Sequence, residues 1–531
     1  MMQISLYAVP APGQTIKGED KFLGTVRTHM HKAPFTALVA GLRGRLEERG
    51  VRAQIRIVDM QTLSADRTQY GEVDFGGLVL EKFRVGCAFE DMIDNLKDDD
   101  IIGINANFTH SRRIASDFAA FAKRINPRAL VVFGGTDPTH DPEYYLTRGA
   151  DVVVKGEAEV TFALLIEAHH RRRSFSEVAN ISYWDDGKIV HTPGIFLKSS
   201  FDVESMLPPD LDMVDLSSYT DTGEGRPPFG LAGPFISIET SRGCAQACTF
   251  CATPSTKGRF RFMKYDQIRE HFRYFQSRGV KTLLFQEDNV LSRIHRKTTG
   301  EYAYPEGREE LFAMFRLARD MGFTWEFTNG LEFGQYIHRG EIDNELIAAM
   351  FWHDTSSPEV QGCYRATIPL ENLSDESSHL FRKLKPLGES KAVIKALAEI
   401  GVNTLTFNLI LGRPQDDEEV LRLSYLRCLE VKEVVAAVNS RVNTYFNVYN
   451  LSLFPGTIDF RHLHHMLAFD LERDPEVITF YLACLKTEHF TPLEMTQARG
   501  TLSSILNGGE LIEDFDEVAY ITHPRFERLF S

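Results

Sequence analysis

Cys244, Cys248 and Cys251 stand within eight residues of one another, separated by three residues and then by two. Thiolates are the usual ligands of iron in iron–sulfur clusters, and three in one tight loop can hold three corners of a [4Fe-4S] cube. The fourth iron is then left without a nearby protein ligand. An iron with an open position can bind and reduce a small molecule, which a fully ligated electron-transfer cluster cannot. A structural zinc site takes four ligands, often as two pairs. No second Cys/His pair follows at zinc spacing, and Cys87, Cys363, Cys428 and Cys484 are isolated. The odd count of seven cysteines argues against a disulfide framework.

Phe235-Ile-Ser-Ile-Glu-Thr240 reads as a strand leading into the cysteine loop, and Phe250 precedes the last cysteine. The C-x3-C-x2-C spacing, with that strand and that aromatic residue, resembles the radical S-adenosylmethionine (SAM) enzymes. The resemblance implies that the amino and carboxylate groups of SAM chelate the open iron and that reductive cleavage gives a 5′-deoxyadenosyl radical. It also implies an electron donor such as a flavodoxin or ferredoxin.

Strand–helix alternation continues after the loop. A helix is expected near 265–278, then strands at 281–289, 323–329, 363–371, 403–412 and 442–449. With the strand before the cysteines these make six, as in the partial (βα)6 barrel of the family, whose chemistry sits at the strand carboxyl ends. Gln286-Glu-Asp-Asn289 occupies the second-strand position where the family has an acidic SAM contact, which points to Glu287, with Asp288 as the other choice. Pro369-Leu-Glu-Asn372 resembles the fourth-strand motif and places Glu371 near SAM, and Phe250 joins that cofactor-binding set. Gly412-Arg-Pro-Gln-Asp416 and Leu453-Phe-Pro-Gly-Thr457 resemble the fifth- and sixth-strand endings. Gly/Pro strand ends are common turns; it is their order and spacing that carry the resemblance. An ordinary helix N-cap is the other reading of each acidic residue.

The N-terminal third shows its own alternation. Strands are expected at 3–9, 52–58, 101–106, 129–133 and 151–154, with helices at 34–49 and 114–125, and this indicates a doubly wound parallel sheet. Such sheets bind ligands at strand carboxyl ends. Here those are the Pro10–Thr15 loop, Asn107-Phe-Thr-His110, Gly134-Gly-Thr136 and Gly156-Glu157. A nicotinamide site would want G-x-G-x-x-G after the first strand, and that is missing. Val131-Val-Phe-Gly-Gly-Thr136 followed by Asp151-Val-Val-Val-Lys-Gly-Glu-Ala-Glu159 instead resembles the cobalamin-binding domain that precedes the radical SAM domain in one large subgroup. The resemblance implies cobalamin contacts from Asn107, Phe108, Thr109, Gly134, Gly135, Thr136, Gly156 and Glu157. Gly134 and Gly135, lacking a Cβ, would let the backbone approach a flat macrocycle. The D-x-H-x-x-G pattern whose His ligates cobalt is absent, and His110 and His140 read as surface or capping residues.

The chain therefore reads as α/β. A doubly wound parallel-sheet cobalamin-binding domain (1–190) and a linker (191–234) lead into a radical SAM partial barrel (235–457) and a helical C-terminal extension (458–531). A hairpin is expected around Asp186-Gly187, and the Gly/Pro-rich 223–230 reads as extended linker.

A formal charge of −15 argues against general nucleic-acid affinity, and His169-His-Arg-Arg-Arg173 reads as a solvated helix end. No apolar run of 18 residues is present, so no membrane span is expected. The first residues lack a signal-peptide pattern, and a cytoplasmic location is expected.

The resemblance implies a cobalamin-dependent radical SAM C-methyltransferase using a [4Fe-4S] cluster, SAM and cobalamin on a small-molecule or peptide substrate. A rearrangement or cyclisation without methyl transfer, and a non-catalytic sensor of the two cofactors, are the alternatives. Arg365, Tyr445, Tyr449 and the tail are candidates for the substrate pocket.

Overall fold

The computed structural model describes residues 1–24, 26, 29–194, 203–221, 231–354, 356, 360–371, 387–508 and 518–531. The glycine/proline-rich stretch 223–230 and the continuation of the fourth-strand motif beyond Glu371 lie outside the described residues.

The N-terminal part runs β1 (Met2–Ala8), β2 (Ala11–Ile16), α1 (Ala33–Glu48), β3 (Ala53–Asp59), β4 (Arg67–Phe75), β5 (Leu78–Val85), α2 (Ile93–Asp98), β6 (Ile101–Asn105) and α3 (Arg112–Ile125). It continues with β7 (Leu130–Gly134), α4 (Thr136–His140), α5 (Pro142–Leu146), β8 (Val152–Val154), α6 (Ala158–His170), β9 (Ile181–Asp185) and β10 (Lys188–His191). The main sheet is ordered β10-β9-β8-β7-β6-β1-β3. Strands β3, β1, β6, β7 and β8 are parallel, with Ile4 facing Ile55 on one side and Ile101 on the other. Both faces are covered. Leu42, Val39 and Phe162 of α1 and α6 pack on one; Phe118, Ala119 and Tyr145 of α3 and α5 pack on the other. That explains strands that are hydrophobic throughout rather than alternating. The order reverses between β1 and β6, so the ligand crevice of such a sheet opens beside the loop after β6.

The hairpin forms as expected. Asp186 and Gly187 both adopt positive φ (46° and 75°), and β9 and β10 pair antiparallel across them. The loop expected over Pro10–Thr15 is shorter: Ala11–Ile16 is a strand that pairs with β5 in a separate three-stranded sheet, β2-β5-β4. Pro12 is tolerated because β2 is an edge strand of that sheet.

The second part begins with β11 (Phe235–Ile238) and the short β12 (Ser241–Arg242), followed by α7 (Thr253–Thr256), β13 (Arg261–Phe262), α8 (Tyr265–Ser277), β14 (Thr282–Phe285), α9 (Gly307–Asp320) and β15 (Thr324–Phe327). Then come a two-residue hairpin β16 (Ile337–His338) and β17 (Glu341–Ile342), α10 (Asn344–Met350), β18 (His353–Asp354), β19 (Gln361–Glu371), β20 (Thr404–Leu411) and β21 (Asn443–Asn450). Six of these strands form one parallel sheet, β11-β14-β15-β19-β20-β21. Its outer layer is a continuous core in which Phe285, Phe315, Trp325 and Phe327 pack ring on ring.

The last strand, β21, is backed by the helix Pro492–Asn507. Phe446 N donates to Asn507 Oδ1 (2.8 Å), Asn507 Nδ2 donates to Phe446 O (2.9 Å), and Arg499 Nε donates to Val448 O (2.6 Å). The small β2-β5-β4 sheet packs on the tail through Phe75, Leu80, Val477 and Ile478. Buried Lys82 pairs there with Asp474 (3.2 Å) and Glu476 (3.5 Å). No helix among the described residues is long and apolar enough to cross a membrane.

Gly135 sits at φ +115°, and a Cβ there would meet Ala106 O at 2.5 Å. A Cβ on Gly134 would meet nothing within 4 Å. Gly135→Ala is expected to lower the unfolding free energy by about 1–3 kcal/mol, and Gly134→Ala to change it by less than about 0.5 kcal/mol, both measured by urea denaturation.

Candidate active site

The cysteine loop leaves the carboxyl end of β11. Gly243 makes the entry turn at φ +82°, with its Cα so close to the Arg259 carbonyl that a Cβ would lie 2.7 Å from it. Cys248 is buried, and Cys244 and Cys251 are half-buried. Donors point at the sulfurs: Gln246 N (3.4 Å), Asn289 Nδ2 (3.7 Å) and Ser292 Oγ (3.8 Å) at Cys244, and Thr253 N (3.4 Å) at Cys251. Burial pushes the Cys244 thiol up, against the pull of its three donors. Hydrogen bonds to sulfur are a means of tuning a cluster's potential.

Among the described residues no three His, Cys, Asp or Glu side chains converge on a single metal ion. Thiols on three corners of a cube stand farther apart than ligands of one ion. The half-buried thiols and their sulfur-directed donors fit an iron–sulfur cluster.

The end of β14 holds this loop in place. Glu287 is buried at 3% exposure. Its carboxylate accepts from Thr240 N (3.1 Å) and from the Thr240 and Ser241 hydroxyls, and faces Arg293 at 3.4 Å. These bonds fix the carboxylate of Glu287, the expected SAM contact, against the start of the cysteine loop. Asp288 accepts from Gly243 N (2.9 Å) and Thr253 Oγ1 (3.0 Å) and pairs with Lys257 (3.2 Å). Further along the loop, Gln246 Nε2 donates to Glu332 (2.7 Å), and Thr249 is tied to Asp459 by a backbone bond of 2.9 Å and a side-chain bond of 3.1 Å.

Glu371 is buried at the end of β19, where the register slips, and it takes φ +54°. A non-glycine residue held in that region is strained, and such strain gathers at functional sites. Phe250 packs beside Leu451 and Leu453 at the end of β21. Asp416, in the fifth-strand motif, accepts from Gly412 N (2.8 Å) and Arg413 N (3.0 Å). It shapes the turn, and burial raises its carboxyl to about 6.

The cobalamin candidates divide. Asn107 and Phe108 are exposed on the loop after β6, Phe108 at 44%. Its ring stacks on His110 (centroids 5.4 Å) and meets Phe454 (5.6 Å) and Phe480 (5.9 Å) from the second part of the chain. Gly134 faces open space and Thr136 is half-buried at the start of α4. Thr109 turns inward, donating to Asp137 (2.6 Å), which also holds Arg112 and Tyr145. Gly156 N donates to Thr139 Oγ1 at 3.0 Å.

Glu157 reaches across to the second part of the chain. It pairs with Arg261 (2.9 Å) and with Arg242 (3.3 Å), both of the cysteine-bearing part. Arg242 also pairs with Glu159 (2.6 Å) and Glu239 (3.0 Å). Desolvation pushes the Glu239 carboxyl up, but Lys257 and Arg242 outweigh it and bring it down to about 2. The Gly-Glu-x-Glu motif thus joins the cysteine-bearing part of the chain through Glu157 and Glu159. Arg242, Arg261 and Glu159 were not expected; the one sequence signal was their charge beside the two glycine- and cysteine-bearing loops.

Residues 46–166 match the model of the B12 binding domain, and residues 238–424 match the radical SAM superfamily. The chain belongs to the B12-binding radical SAM proteins. It is 31% identical over 220 residues to an uncharacterised methyltransferase of Pyrococcus horikoshii, covering 40% of this chain and 44% of that one. It is 24% identical over 356 residues to cytidylyl-2-hydroxyethylphosphonate methyltransferase of Streptomyces wedmorensis, covering 62% and 61%. The chain thus spans about half of those relatives' lengths. Among solved structures, the cobalamin-dependent SAM radical enzyme OxsB aligns over 100% of this chain and 70% of its own, at a TM-score of 0.67 and 15% identity. The radical SAM methyltransferase TsrM from Kitasatospora setae aligns over 98% and 91%, at 0.61 and 13%. These likenesses show the fold of this B12-binding radical SAM protein.

Replacing Cys244, Cys248 and Cys251 together by Ala is expected to abolish cluster iron and sulfide after anaerobic reconstitution. Replacing Cys87, Cys363, Cys428 and Cys484 should leave both at wild-type content. A full iron complement in the triple variant would overturn the ligand assignment.

Proposed function

We propose that this B12-binding radical SAM protein is a cobalamin-dependent methyltransferase that moves a methyl group from SAM to an unactivated carbon of a small-molecule or peptide substrate. The observation that carries this reading is the junction of the two sheets. Glu157, after β8, pairs with Arg242 and Arg261; His140, beyond β7, reaches Thr256 just past Cys251; and Phe108, after β6, meets Phe454 beyond β21, so ligands at the carboxyl ends of both sheets would share one cleft. When bound, the cluster and the corrin supply reductive SAM cleavage and methyl carriage.

The chain's own part is positioning and exclusion of water. Cys244, Cys248 and Cys251 would hold three cluster corners, with Asn289 and Ser292 donating to the first. Glu287, Glu371 and Phe250 are the proposed SAM contacts, and Asn107, Phe108, Thr109, Gly134, Gly135, Thr136, Gly156 and Glu157 the proposed cobalamin contacts. A flavodoxin- or ferredoxin-type protein would deliver the electron. A second reading, ring formation without methyl transfer, is favoured by one relative: the chain is 27% identical over 184 residues to the anaerobic magnesium-protoporphyrin IX monomethyl ester cyclase of a Synechocystis strain.

Methyl-labelled SAM separates the readings: label in the product supports methylation, whereas deoxyadenosine release with an unlabelled product supports cyclisation. Neither product, with both cofactors bound, would leave the sensor reading. The cysteine triple variant is expected to release no deoxyadenosine while still binding cobalamin.

His140 Nε2 lies 3.0 Å from Thr256 Oγ1. His110 bonds the Ile478 backbone, and its Nδ1 is buried without a hydrogen-bond partner among the described residues. The D-x-H-x-x-G pattern is missing from the chain, and bound cob(II)alamin is expected to show no superhyperfine splitting from an axial nitrogen in its electron paramagnetic resonance spectrum. Splitting that disappears in His110→Ala or His140→Ala would identify the ligand and refute this expectation.

A further inference from the structure

Two straps join the corrin-facing loops to the cysteine loop, one on each side of the three cysteines. The first is ionic. Glu157 and Glu159 stand one and three residues after Gly156, and Arg242 stands two residues before Cys244. Arg242 reaches both glutamates and Glu239, while Arg261 donates to both oxygens of Glu157. The side chains of Arg242, Glu157 and Glu159 are each 7% exposed, and that of Arg261 is 10% exposed. The second strap is His140, at the end of the helix that opens on Gly134-Gly135. Its ring lies within 3.0 Å of Thr256 Oγ1 and 3.2 Å of Ser255 Oγ, both just beyond Cys251. Its ring leaves no space for a Cβ on Gly456, which would meet it at 2.3 Å.

A guanidinium is planar and fixes the direction of its partners, which an ammonium does not. One that holds carboxylates from both parts of the chain, out of water, fixes their relative orientation as well as their contact. We propose that Arg242 is a positioning residue that sets the distance and orientation between the bound corrin and the cluster. This rests on the reading that both cofactors bind. The Gly-Glu-x-Glu motif then carries the register between two cofactor loops.

The test is the relaxation of the cob(II)alamin paramagnetic signal by the reduced cluster, in wild type, Arg242→Gln, Arg242→Lys and Glu159→Gln, with cobalt and iron content measured in each. Dipolar relaxation falls with the sixth power of distance, so it registers shifts on the order of 1 Å, a misplacement that costs about 100-fold in rate. Arg242→Gln and Glu159→Gln are expected to load both cofactors and to relax at rates changed by about twofold or more, with a wider spread; Arg242→Lys should recover only part of the wild-type rate. A purely structural role would lower thermal stability and leave relaxation unchanged. Wild-type relaxation in loaded Arg242→Gln and Glu159→Gln would overturn the proposal. If Arg242→Gln does not load, Glu159→Gln decides. Loss of both cofactors in both variants would also overturn it, since the network would then be a condition of folding. Wild-type protein that takes up no cobalt or no iron would refute the cofactor reading instead.

Discussion

The meeting of Arg242 with Glu157 and Glu159 is the contact on which the rest of the arrangement depends. Taking such charges out of water costs several kcal/mol per ion, and mutual attraction repays this only when geometry and further hydrogen bonds are good. Here Arg242 holds three carboxylates and Glu157 two guanidinium groups, and the partners come from both parts of the chain. Replacing the group by apolar side chains of equal volume can leave stability unchanged, whereas removing one member strands its partners. The network is therefore better understood as a device of register than of adhesion. Adhesion comes from apolar contacts, such as those of Phe75 and Leu80 with Val477 and Ile478.

The sheets were legible in the sequence because buried parallel strands write themselves as short apolar runs with helices between. The six strands from Phe235 to Asn450 and the five parallel strands of the first sheet follow that pattern. The cysteine loop was legible because its ligand chemistry is local, three side chains within one turn of chain. The protein partners of Glu157 were not legible for the opposite reason. Arg242 and Arg261 lie 85 and 104 residues away in the chain, and a glutamate beside a glycine turn carries no local sign of them. The partners of Glu287 were hidden likewise: Thr240 and Ser241, which bond its carboxylate, belong to the preceding strand and loop. The β2-β5-β4 sheet was hidden by Pro10 and Pro12, which mark a turn unless an edge strand accommodates them.

The C-terminal region gains its meaning from what it covers. Its helices and intervening segments reach back to the first part of the chain, where Lys82 meets Asp474 and Glu476. Tyr70 donates to the same glutamate at 3.0 Å. The tail thus ties the small antiparallel sheet to the end of the barrel and brings Phe480 against Phe108 and Phe454. Three separate stretches of the chain thus meet in one aromatic cluster.

The outer edge of β21 is the flank of an open sheet, and its backbone would ordinarily be a template for another strand. Here Asn507 takes both groups of Phe446, Arg499 takes the Val448 carbonyl, and Phe480 O takes the Asn450 N–H. An asparagine amide, with donor and acceptor side by side, imitates a neighbouring peptide without offering a further edge. The barrel can therefore remain open, and wide enough for large ligands, without inviting strand exchange between copies or fibrous growth along that flank.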